Sequence, residues 1–158
     1  DHKYIYSHVG YNLKLTDMQA AIGLAQLKKL KHFILQRKSN YSYIFERLHP
    51  LGDFLALPVP NKNSDPSWFG FPIRVKQNSP IDRNQIVKLL NKKNIGTRFL
   101  FGGNLIRQPF FKHINYRISG KLENSDVIMN NVFWIGVQPN LSKEMIKFTI
   151  SEIKSIFK

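Results

Sequence analysis

The stretch Gly10-Tyr11-Asn12-Leu13-Lys14-Leu15-Thr16-Asp17-Met18-Gln19-Ala20-Ala21 joins an irregular lead-in to a helix. Thr16 and Gln19 stand three apart, so the hydroxyl of one and the amide of the other can each take one orphan N–H of the first turn. Asp17 adds a negative charge where the helix dipole favours it. Apolar residues then recur at close to helical period: Ile22, Leu27, Leu30, Ile34, Tyr41, Ile44, Phe45 and Leu48. Pro50 and Gly52 close the pattern. The spacing predicts one helix of about 30 residues, roughly 45 Å long. In front of it, residues 10–14 offer an amide, a phenol and a cation at a helix N-terminus. That is a natural place for an anion, or else an ordinary turn.

Downstream, helical and extended patterns alternate. Residues 53–67 are a connector rich in Pro, Asn and Ser. Trp68 to Val75 reads as a strand, which Pro72 confines to an edge or a bulge. Ser79, Pro80 and Asp82 read as cap, first residue and first-turn acid of a helix reaching about Lys93, with Ile86, Leu89 and Leu90 inward. Asn94 and Gly96 punctuate its end. Thr97 to Phe101 is a second strand, 102–120 an irregular insert, and Lys121 to Asn130 a short helix. Val132 to Val137 is a third strand. Ser142 caps a last helix with Met145, Ile146, Ile150, Ile153 and Phe157 inward. This is an α/β (α+β) architecture, helices packed on a short three- to four-stranded sheet. The expected organisation is a lead-in and linking helix over 1–52 and a small domain over 53–158.

Bulk properties narrow the function classes. With 158 residues, 42% of them hydrophobic, the chain can bury a modest core. No apolar run approaches the roughly 18 residues of a membrane span. With no cysteine, neither a disulfide scaffold nor a thiolate metal site can form within the chain. Cysteine-free composition fits the cytoplasm, the expected location. The net charge of +14 directs attention to anionic partners. The lysines are dispersed, however, and no block of five or six like charges occurs, so most of that charge reads as solvated helix faces. No nucleic-acid or membrane partner is expected, a basic nucleic-acid-binding module standing as the remote alternative that the charge leaves open. His2, His8, His32, His49 and His113 are scattered, and none pairs at the i, i+4 spacing of a zinc helix, so no metal site is expected. There is no nucleophile elbow, Walker loop or dinucleotide fingerprint, and no paired acid and base, so no catalytic residue is assigned.

A second segment, Gly96-Thr97-Arg98-Phe99-Leu100-Phe101-Gly102-Gly103-Asn104-Leu105-Ile106-Arg107-Gln108-Pro109, leaves a strand end with two arginines, a Gly-Gly and an amide. Arginine suits bidentate recognition of phosphate or carboxylate. The alternative is a turn with ordinary surface arginines.

The pattern Gly10-Tyr11-Asn12-x-Lys14-x-Thr16-Asp17-Met18-Gln19-Ala20-Ala21-x-Gly23-x-x-Gln26-Leu27 resembles the signature of the DegT/DnrJ/EryC1/StrS sugar aminotransferase and dehydrase family, with Lys14 where the family usually has Arg. Asp1-His2-Lys3-Tyr4, Tyr6-Ser7-His8, the 96–109 segment and Phe133-Trp134-Ile135-Gly136-Val137 are similar to its CDP-4-keto-6-deoxyglucose 3-dehydrase branch, which serves O-antigen lipopolysaccharide biosynthesis. Phe101-Gly102-Gly103-Asn104 stands where aminotransferases carry a His-Tyr and Pro-x-His pattern.

The resemblance covers nearly the whole chain. It implies the C-terminal small domain of a fold-type I pyridoxal-phosphate (PLP) enzyme working with the pyridoxamine form (PMP) on a CDP-sugar. It also implies a homodimer, a [2Fe-2S] cluster and a flavin iron–sulfur reductase as electron donor. The catalytic histidine, the cofactor-ring aspartate and the cluster cysteines would precede Asp1, so the chain alone is expected to be inactive and to bind no cofactor. By residue matching, Asn12 would reach the cofactor phosphate of the neighbouring subunit and Lys14 would lie near phosphates. Asn104 and Arg107 would approach the sugar nucleotide. The family also leaves open a nucleotide-sugar aminotransferase or a GDP-sugar 3-dehydratase.

Overall fold

The computed structural model describes residues 13–109, 111 and 115–158. Two compact units divide between His32 and Phe33. In the first, α1 (Asp17–Leu27) carries the expected capping box: Gln19 N–H donates to Thr16 Oγ1 at 3.3 Å, and Thr16 N–H donates to Gln19 Oε1 at 3.0 Å. None of its residues is buried, and Met18, Ile22, Leu24 and Leu27 are all more than half exposed. The single long helix expected from Thr16 is interrupted. Lys28 and Lys29 form a turn, in which Lys29 N–H bonds to Gln26 O, three residues back, at 2.9 Å. Lysines at 28, 29 and 31 crowd like charge around that turn, and no buried contact of α1 opposes the loosening.

The helix resumes as α2 (Leu30–Leu48). Within the second unit its buried residues are Asn40, Tyr41, Ile44 and Leu48, one stripe at helical spacing. Asn40 Nδ2 donates to Gln138 O at 3.0 Å. Arg37 Nη1 donates to the carbonyls of Trp68 and Phe69 at 3.0 and 3.2 Å. The Tyr41 ring stacks on Trp68 at 4.8 Å, and its hydroxyl donates to Pro58 O. These contacts fasten the connector to the helix. A 3-10 turn, His49–Leu51, follows.

Four strands form one antiparallel sheet in the order β1-β2-β4-β3: β1 (Leu55–Ala56), β2 (Gly70–Val75), β3 (Thr97–Phe99) and β4 (Val132–Gly136). The register pairs Phe71 with Ile135 and Ile73 with Phe133. Those four side chains and Val75 are at most 3% exposed, as the period-2 pattern requires for one buried face. Burying each such side chain contributes about 1.5–3 kcal/mol. Strand β1, inside the expected connector, pairs only with Arg74 and Val75, so β2 is locally an edge at Pro72, as proline demands. On the opposite face Trp134 lies over Gly70, where a Cβ would fall 2.0 Å from its Cε3. Its indole N–H donates to Phe99 O at 3.0 Å.

Among the described residues of this unit there are three further α-helices: α3 (Arg83–Lys92), α4 (Glu123–Asn131) and α5 (Lys143–Ile156). The cap of α3 is Asp82, not Ser79. Asp82 and Gln85 reciprocate in a capping box, while Ser79 Oγ is engaged with Ile81 in a preceding turn. Asn94 ends that helix in the left-handed region, with φ 59°. Ile95 N–H bonds to Leu90 O and Asn94 N–H to Asn91 O, the paired bonds of a Schellman ending. Ser142 caps α5 as expected, accepting from Met145 N–H. Ile146, Ile150 and Ile153 face the core. Two expected inward residues turn outward: Leu89 is 41% exposed and Met145 57%. Each sits beside the apolar stripe of its helix, outside the arc that the sheet covers.

Candidate functional site

Strand β3 stops at Phe99, and the chain turns sharply onto α4. Phe101 and Gly103 both have positive φ, 51° and 61°. Gly103 is required twice over: a Cβ there would also lie 2.5 Å from Met129 Cβ and 2.8 Å from Met129 Cα. The loop backbone therefore touches the helix directly. Gln108 Nε2 closes the loop by donating to Gly102 O at 2.8 Å. The 3-10 turn Leu105–Arg107 completes it.

The loop is anchored on Asp126, one turn before Met129 on α4. Asn104 Nδ2 donates to Asp126 Oδ1 at 2.8 Å. Arg107 donates from Nε to Oδ1 at 3.2 Å and from Nη2 to Oδ2 at 3.0 Å, a side-on fork. Hydrogen bonding from Arg107, then from Asn104, holds the Asp126 carboxyl below the usual carboxylate range. The same contact raises the Arg107 guanidinium. Asn104 is 3% exposed, whereas the Arg107 side chain is 59% exposed. The fork uses Nε and Nη2, which leaves Nη1 outside it.

The structure thus brings the expected pair Asn104 and Arg107 together on a third residue, Asp126, that sequence reading did not single out. Its only sequence signal is an acid in the first turn of a helix, and nothing local links it to residues 19 and 22 positions earlier. Lys14 belongs to the other unit. It is exposed, precedes the capped start of α1, and among the described residues has no ion-pair partner. Asn12 lies outside the described residues, as do His2, His8 and His113. Among the described residues no three His, Cys, Asp or Glu side chains gather as a metal site would need. None of the helices among them is long and apolar enough to cross a membrane. A separate cleft of about 650 Å³, lined by Arg98, Trp134, Gln138, Met145 and Phe148, contains none of the expected site residues.

The sequence model of the DegT/DnrJ/EryC1/StrS aminotransferase family matches residues 1–154. The chain belongs to the DegT/DnrJ/EryC1/StrS aminotransferase family. Within that family it is 53% identical, over 99% of its length, to the lipopolysaccharide biosynthesis protein RfbH of Salmonella typhimurium, of which it covers 36%. It is 46% identical, over 97% of its length, to the dTDP-4-dehydro-2,6-dideoxy-D-glucose 3-dehydratase of Saccharopolyspora spinosa, of which it covers 33%. The chain therefore spans about a third of the length of these curated relatives, a C-terminal portion of each. Among solved structures it is similar to an Escherichia coli GDP-4-keto-6-deoxy-D-mannose-3-dehydratase with bound hydrated PLP. The TM-score is 0.82 and the identity 26%, with 95% of this chain and 38% of that one covered. The expected fold, that of the matching portion of these aminotransferase-type structures, is the observed one.

Proposed function

We propose that this chain is the C-terminal portion of a PLP- or PMP-dependent sugar-nucleotide 3-dehydrase. Its substrate would be CDP-4-keto-6-deoxyglucose, and its pathway O-antigen dideoxysugar synthesis in the cytoplasm. The observation that carries the 3-dehydrase assignment is the 46% identity, over nearly the whole chain, to a protein named a dTDP-4-dehydro-2,6-dideoxy-D-glucose 3-dehydratase, while the CDP sugar comes from the sequence resemblance. The loop built on Gly102-Gly103-Asn104 accompanies it.

The residues present fit a cofactor with a phosphate at one place. Lys14 is an exposed cation beside a helix N-terminus, and Asn12, two positions earlier, is its proposed companion on the phosphate held by the neighbouring subunit of a homodimer. The bound cofactor supplies an electron sink for loss of the C3 hydroxyl. Within this chain, Arg107 would donate hydrogen bonds to the sugar nucleotide, and Asn104 would hold the loop that carries it. No residue here acts as the base. The chain has no cysteine, so it does not fit as the holder of a [2Fe-2S] cluster. In this reading the cluster, the base and the docking of a flavin reductase belong to the rest of the enzyme.

Two experiments test the reading. The 158-residue chain alone is expected to show no cofactor absorbance and no dehydration of CDP-4-keto-6-deoxyglucose; turnover by it would overturn the assignment of the chemistry upstream. Grafted in place of the matching third of the Salmonella relative, it is expected to give a protein that turns over CDP-4-keto-6-deoxyglucose in preference to its GDP counterpart. A graft that folds and binds PLP but turns over neither sugar would refute the proposal. A preference for the GDP sugar would favour the second reading, a GDP-sugar 3-dehydratase. That reading draws on 32% identity to a GDP-4-keto-6-deoxy-D-mannose 3-dehydratase of Escherichia coli O55:H7, over 80% of this chain.

A further inference from the structure

We infer that Asp126 is a positioning residue for the sugar-nucleotide site, acting with Asn104 to aim Arg107, and that Arg107 alone of the three meets the ligand. The inference rests on the proposed function for the identity of that ligand, but on geometry for the division of labour. Asn104 is 3% exposed, and its amide nitrogen is engaged 2.8 Å from Asp126 Oδ1, so its side chain cannot reach a ligand without leaving the loop. Arg107 is held by two of its nitrogens on the same carboxylate, at 3.2 and 3.0 Å, and is more than half exposed. A guanidinium held side-on through Nε and Nη2 has one free direction, through Nη1 and the remaining Nη2 hydrogen. Gly103 against Met129 fixes the distance from loop to helix, so the three hydrogen bonds sit on a backbone that cannot slide.

The neutralising carboxylate matters for the class of group recognised. A bare arginine grips a diphosphate with its full charge and a bidentate fork. One already paired with Asp126 acts mainly as a directional donor, suited to a single acceptor oxygen such as a hexose hydroxyl or carbonyl. Loss of Asp126 would leave the charge of Arg107 in place but not its direction.

The arrangement is first tested without substrate, on the 158-residue chain. Hydrogen exchange of the Arg107 Nε–H is expected to be at least about fivefold slower than that of Arg98, and to become equal to it in Asp126→Asn, with the backbone amide spectrum outside 99–109 and α4 unchanged. Equal exchange of the two arginines in the unsubstituted chain would overturn the inference. Turnover is then measured in the graft described above. Asp126→Asn and Asn104→Ala are each expected to raise KM for the sugar nucleotide about tenfold while leaving kcat within about threefold, and the double variant to be no worse than the stronger single one. Arg107→Lys, which keeps charge without the fork, is expected to match them. An unchanged KM, or a fall in kcat alone as from partial unfolding, would overturn the positioning role. A graft inactive with no substitution at all would count against the proposed function, while the exchange result would still decide the arrangement.

Discussion

Replacing Gly103 by alanine is the sharpest test of how the loop is built, because two separable costs meet there. The residue has φ 61°, which an L side chain adopts at a cost of about 1–2 kcal/mol. Its new methyl would also lie 2.5 Å from Met129 Cβ, 2.7 Å from Cγ and 2.8 Å from Cα. Two of those atoms belong to the helix framework and cannot swing aside, so overpacking adds about 1–3 kcal/mol. Two other glycines serve as controls. At Gly120 the φ is 72° but nothing lies within 4 Å of an added Cβ, so only the backbone cost applies. At Gly96 neither condition holds, and alanine is expected to be neutral or to stabilise by up to about 1 kcal/mol through the unfolded chain. Urea unfolding of the four proteins, followed by circular dichroism, should rank stability as Gly96→Ala at or above the unsubstituted chain, then Gly120→Ala, then Gly103→Ala. The gap from first to last is expected to be about 2–6 kcal/mol. If the loop yields before the domain unfolds, the loss appears as released Arg107 Nε–H exchange. A Gly103→Ala protein with unchanged midpoint and unchanged exchange would refute the close packing of loop on α4.

Gly70→Ala should displace Trp134, whose Cε3 lies 2.0 Å from where the added methyl would stand, and cost about 1–3 kcal/mol; the measurement is unfolding free energy together with the tryptophan emission maximum, and no change in either would contradict the packing. Ile153, fully buried, should lose about 2–5 kcal/mol on truncation to alanine, whereas Met145, 57% exposed, should lose no more than about 0.5 kcal/mol in the same unfolding assay. The Asp126 carboxyl has its folded-state pKa lowered, so its contribution is fully present above the unfolded value of about 3.9 and is lost as pH falls through the lower folded value. The Arg107 and Asn104 side-chain signals should therefore hold steady from pH 7 to about 5 and disappear only below about 4; a midpoint above 4 would contradict the hydrogen-bonded carboxylate.

The residues that announce themselves locally are those whose partners lie within one turn of chain. The Thr16–Gln19 box, the Ser142 cap, the left-handed Asn94 and the alternation through Phe71, Ile73 and Val75 all follow from bonds or periods spanning two to five residues. They determined, from sequence alone, the order of the elements apart from β1 and the break between α1 and α2. The signature around Asn12 and Lys14 determined the family in the same way, as a local string.

Tertiary structure decided what local rules leave degenerate. Leu55 and Ala56 are a strand only because Arg74 and Val75 run beside them. Leu89 and Met145 have the chemistry of core residues but lie off the covered arc. The site shows the same division. Asn104 and Arg107 were visible as an amide and a cation after a Gly-Gly, but their burial, their fork and their shared carboxylate depend on where the chain path sets α4 down. Asp126 follows them by 22 and 19 residues, and no sequence period reaches across an irregular insert of that length.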